Sequence, residues 1–83
     1  MNTLVPWTIL NDRLSVSVGI NSRIGDLKRQ KKTPKLIRLG GWASRQFMRE
    51  HGLDYVPRET FYYAKIPVVF NDPVIIGIAV EGE

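Results

Sequence analysis

The chain has 83 residues, with twelve Lys or Arg against eight Asp or Glu, no Cys and an apolar fraction of 43%. A chain this short buries only about 60% of its unfolded surface, so residues 1–83 make one domain and two cores are excluded. The missing cysteines exclude a disulfide framework and a thiolate metal site, and the apolar content excludes a disordered basic tail.

Taken in chain order, residues 7–10 and 14–20 flank Asn11-Asp12-Arg13, and Leu14, Val16, Val18 and Ile20 alternate with small polar partners. That period predicts a strand hairpin. A helix over 22–31 follows, capped by Asn21 or Ser22, with Ile24 and Leu27 facing inward and Pro34 closing it; Gly25 costs it roughly 1 kcal/mol. Residues 35–39 read as a strand. Gly40-Gly41 then allows a sharp turn into a helix over 42–51, which Gly52 ends. Residues 55–59 read as a loop and 61–64 as a strand. The β-branched runs 66–70 and 74–80, on either side of Asn71-Asp72-Pro73, predict a closing hairpin. The resulting class is α+β: a mostly antiparallel sheet of about five strands with two helices, and a core of Ile9, Val16, Val18, Ile20, Leu36, Leu39, Phe47, Val69, Ile76 and Ile78.

The charge is polarised along the chain. Nine of the twelve basic residues fall between Arg23 and Arg49, accompanied by the single acid Asp26, while residues 50–83 hold six acids and two bases. A cationic block of this kind points to a phosphate-bearing or acidic partner. Lys28, Arg29, Lys31, Lys32, Lys35 and Arg38 form its densest part, suited to a nucleic-acid backbone and to the counterion release that follows. At 100° per residue the 42–51 helix sets Trp42, Arg45 and Arg49 on one side and Ala43, Phe47 and Met48 on the other. An indole beside two guanidinium groups suits a nucleobase, a phosphate or a protein hot spot. The alternative is that Trp42 folds back over the preceding strand as a packing staple. Of the two halves, Trp42 with Arg45 and Arg49 is expected to supply recognition geometry and residues 28–32 long-range attraction.

Several chemistries find no support. The Gly40-Gly41 pair lacks the Gly-Lys-Ser/Thr ending of a nucleotide-binding loop. His51 is the one histidine, and no serine lies near it in sequence. The carboxylates Asp12, Asp26, Asp54 and Asp72 stand singly, as in turns and caps. Spacing therefore points to no enzyme, no metal and no cofactor. The amino terminus lacks the charged and apolar regions of a secretory signal, and the apolar runs near the carboxyl end fall short of the ~20 residues a membrane helix needs. These features predict a cytoplasmic, membrane-free protein.

The reading that results is a non-catalytic module that contacts DNA or RNA through its basic block. The rival is a small structural or protein-interaction subunit that meets an acidic protein surface or forms a homo-oligomer through its closing hairpin. The order of strand, helix, loop and strand, with Lys65-Ile66-Pro67-Val68-Val69 after the Trp42 helix, loosely resembles a segment common in tailed-phage capsid subunits. That resemblance implies a virion setting for the rival.

Overall fold

The computed structural model describes residues 15–83, so the strand expected at 7–10 and the core position Ile9 lie outside it. Within this range the chain runs α1 (Val16–Arg29), β1 (Pro34–Leu39), α2 (Gly41–Glu50), β2 (Phe61–Tyr63), β3 (Ile66–Val69) and β4 (Ile78–Gly82). The class is α+β, as expected. Among the described residues the mixed sheet has four strands in the order β2-β3-β1-β4, which corrects the expected five.

Residues 16–20 belong to a helix, not to a hairpin strand. Val16, Val18 and Ile20 imitate strand alternation, but Val16, Ile20 and Ile24 also recur every fourth residue and are buried together with Gly19. Tertiary burial decides in favour of the helical period. Val18 falls off that stripe and is exposed. Ser15 caps the helix by accepting the Val18 N–H at 3.2 Å. Asn21 and Ser22, expected as the cap, therefore sit inside α1. At the other end the Lys32 N–H donates to the Leu27 carbonyl at 2.9 Å and the Lys31 N–H to the Lys28 carbonyl at 3.0 Å, with Lys31 left-handed at φ 61°. This is a Schellman closure with lysine in the position that favours glycine.

The second helix matches its expectation closely. His51 is its C-cap, Gly52 follows at φ 67°, and the Leu53 N–H reaches the Met48 carbonyl at 2.8 Å, the same closure with glycine in place. Gly40 is needed for a different reason: the Ile75 carbonyl and the Gly77 nitrogen crowd its Cα so closely that a Cβ has no room.

Strand β1 is central, parallel to β3 through Ile37↔Val68 and antiparallel to β4 through Leu39↔Ile78. The expected closing hairpin is thereby corrected, because β1 lies between its two arms. Residues 70–77 instead cross the end of β1, where the Asp72 N–H bonds the Leu39 carbonyl and the Gly40 N–H bonds the Gly77 carbonyl, both at 2.8 Å. The local hairpin is β2–β3, with Tyr63 paired to Ile66 across a turn in which Ala64 and Lys65 both have positive φ. That is the backbone of a type I′ turn.

The helices cover one face of the sheet. Phe47 is fully buried and meets Phe61, Tyr63 and Phe70 edge-on at ring separations of 5.7, 5.7 and 5.8 Å. Val16, Ile20, Leu39, Phe47 and Ile78 are core residues as expected. Leu36 is only half-buried, since strand alternation puts it on the face opposite Ile37 and Leu39. Val69 is exposed by the same alternation, and Ile76 is exposed because it lies in the crossover and not in a strand.

Candidate nucleic-acid interface

The folded chain divides the cationic block. Lys28 and Arg29 end α1, Lys31 and Lys32 form its closing turn, and Lys35 stands one residue into β1; all five are exposed. They gather at the start of β1 because the Schellman closure turns the chain directly from helix into strand. Among the described residues, Arg29 pairs with Asp26 and no carboxylate pairs with the four lysines. The nearest stretch of β4 is tied in by its backbone: Thr33 and Glu83 exchange N–H to carbonyl bonds at 2.8 and 3.1 Å.

Arg38 belongs to another environment. Its Nε donates to Asp72 Oδ2 and its Nη1 to Glu81 Oε2, each at 2.7 Å. These two bonds raise the guanidinium pKa further and leave the charge neutralised on the sheet face away from the helices. In return, the Arg38 hydrogen bond lowers the Asp72 carboxyl, helped by the Val74 N–H at 2.9 Å.

Trp42, Arg45 and Arg49 stand on α2, which follows the far end of β1, whereas the lysines gather at its start. Trp42 is half-buried and packs on the core, with its ring in the space that a Cβ on Gly77 would touch. The Arg45 guanidinium lies beside Gly41, and Arg49 donates to Gln46 Oε1 at 3.2 Å. Gly40 gives its N–H to Gly77, so the glycine pair serves the crossover turn.

One arrangement was invisible to spacing. The Glu50 carboxylate accepts the N–H of Val16 at 2.7 Å, the N–H of Ser17 at 3.0 Å and the Ser15 hydroxyl at 3.1 Å. Desolvation raises the Glu50 pKa, but the N–H groups of Ser17 and Val16 outweigh it and hold the carboxyl below its ordinary value. Beside it, Ser17 Oγ lies 2.9 Å from His51 Nε2, and the imidazole stacks on Phe47 at 4.2 Å. A serine and a histidine in this relation resemble a nucleophile and its base. Together these contacts join the carboxyl end of α2 to the first turn of α1. The sole sequence sign was a carboxylate and a histidine side by side at a helix end.

Among the described residues there is no cluster of three or more His, Cys, Asp or Glu able to hold a metal, and no helix long and apolar enough to cross a membrane. No protein-family model matches this chain, nor does any curated protein or any solved structure.

Proposed function

We propose that the chain is a non-catalytic module that binds the phosphate backbone of DNA or RNA through Lys28, Arg29, Lys31, Lys32 and Lys35. The carrying observation is the exposure of these five cations at one end of the fold, four of them without a carboxylate partner among the described residues. Unpaired surface lysines keep their counterions until a polyanion displaces them, and that release drives binding. The left-handed backbone at Lys31 supports the same reading, because glycine would relieve that turn but would remove a charge. Arg38 drops out, since Asp72 and Glu81 already neutralise it. Trp42 is engaged in packing, so the expected emphasis on the carboxyl half of the block shifts to its lysine half. Arg45 and Arg49 would add contacts only on a polymer long enough to span β1.

Fluorescence anisotropy with labelled single- and double-stranded DNA and RNA tests this. For three to five phosphates on duplex DNA, log affinity should fall against log salt with a slope of about −3 to −4.5, and changing Lys28, Lys31 and Lys32 to Gln should flatten it by about one per residue. Absence of binding at about 50 mM salt, where phosphate contacts are strongest, would sink the proposal.

A further inference from the structure

The pairing register brings to the cationic end a lysine that chain order sets far from it. Lys65 is one of the two bases in the acidic stretch 50–83, and with Ala64 it forms the β2–β3 turn. Strand β1 runs parallel to β3 with Ile37 level with Val68, so two residues back Lys35 is level with Ile66. Lys65 therefore stands beside the start of β1. It is exposed, and among the described residues no carboxylate pairs with it. Its φ of 66° matches the 61° of Lys31, so two lysines at this end occupy backbone that favours glycine.

The same turn holds an aromatic ring near this charge. In β2, Phe61 and Tyr63 face inward to Phe47, so alternation puts Tyr62 on the open face of the sheet, where it is 61% exposed. Its cross-strand partner is Pro67; Leu36 is level with Pro67 in the continued register and opposite Glu81 in β4. The row across the open face is thus apolar on the β2 side and acidic at its β4 end. Glu83 follows on the β4 flank beside Thr33, and Arg38 on this face is already tied to Asp72 and Glu81. Arg58 and Glu59 precede β2 at its other end, away from the turn. Tyr62 and Lys65 therefore share the flank that the acids of β4 leave open.

Stacking on a ring needs a base whose face is free. In a duplex each base is covered by its neighbours, whereas a single strand can turn its bases outward. Building on the phosphate-binding reading above, we propose that the cationic end takes single-stranded nucleic acid, with Lys35 and Lys65 on its phosphates and one base stacked on Tyr62. The strand then leaves the lysine end over the β2–β3 hairpin, since Glu81 and Glu83 repel it from the β4 side.

The test is fluorescence anisotropy on the full chain with four labelled ligands of one length: single-stranded DNA, single-stranded RNA, an abasic DNA strand and duplex DNA. Tyr62→Ala should weaken binding to the two base-bearing single strands about five- to hundredfold and leave the abasic strand and the duplex unchanged. Tyr62→Phe should keep the wild-type affinity, because the ring suffices. Lys65→Gln should weaken binding to every ligand and lower the single-strand salt slope by about 0.7. Both side chains are exposed, so unfolding curves should match the wild type. The DNA and RNA arms, either of which supports the proposal, tell the two polymers apart. Unchanged single-strand affinity in Tyr62→Ala, or an equal loss for all four ligands, would overturn the proposal and leave the phosphate-binding reading standing. Absence of all binding by the wild type at about 50 mM salt would overturn both.

Discussion

Val16 donates its backbone N–H to the Glu50 carboxylate at 2.7 Å, so the carboxyl end of α2 caps the amino end of α1. Three donors of the first turn converge on that one side chain, and a negative charge there also complements the helix dipole. Glu50→Ala should cost about 1 kcal/mol, as for loss of a helix cap, measured as a lower urea midpoint at neutral pH. Glu50→Gln keeps an acceptor oxygen and should lose less.

The same contact sets a pH dependence. Glu50 and Asp72 both have carboxyl pKa values held below the ordinary range, so the unfolded chain binds their protons first and stability falls as the pH drops. Their contribution should be complete above the unfolded carboxylate values of about 4 and vanish below the folded ones. Urea midpoints taken from neutral pH downward should therefore decline in acid, and Glu50→Gln combined with Asp72→Asn should flatten the decline. A double variant as acid-sensitive as the wild type would show that other carboxylates govern it.

Ser44 is fully buried, donates its hydroxyl to the Leu39 carbonyl at 3.2 Å and accepts the Asn71 N–H at 2.8 Å. It bolts α2 to both the end of β1 and the crossover. Ser44→Ala strands the Asn71 N–H, a loss of about 1–3 kcal/mol, and hydrogen exchange at Asn71 should accelerate more than at Ile37 in mid-strand.

Two turns hold side chains where glycine or asparagine is easier to accommodate. Replacing Ala64-Lys65 by Asn-Gly should stabilise the β2–β3 hairpin by about 1 kcal/mol, because both residues have positive φ. Lys31→Gly should raise thermal stability for the same reason while weakening nucleic-acid binding. Opposite signs in the two assays are the distinguishing result. Gly40→Ala acts the other way: its methyl group meets the Ile75 carbonyl, and overpacking of this kind costs about 1–3 kcal/mol.

The elements legible in the sequence are those whose signals are local. Gly40-Gly41 and Gly52 bracket α2, and Pro34 marks the entry to β1 within one residue. The start of α1 was misread because Val16, Val18 and Ile20 fit two periods at once, and burial against the sheet chooses between them. The β2–β3 turn escaped notice because Ala64-Lys65 carries no Asn-Gly signature. The β3–β4 pairing failed because nothing in the sequence of either strand says that β1 lies between them. For the site, charge was legible and pairing was not: Arg38 finds Asp72 and Glu81 across 34 and 43 positions of chain, and Ser17 finds His51 across 34.

The central position of β1 has a consequence for how the chain matures. Neither of its partners is a sequence neighbour, for β3 comes only after α2 and the β2 turn, and β4 comes after the crossover as well. Closing such remote pairs is slow compared with forming helices or a local hairpin. As the polypeptide emerges from the ribosome, Leu36, Ile37 and Leu39 wait with one strand edge open until residues 66–69 are available and the other until residues 78–82 are, an interval in which bare edges invite aggregation. The strand best protected in the finished protein is the one left barest during its synthesis.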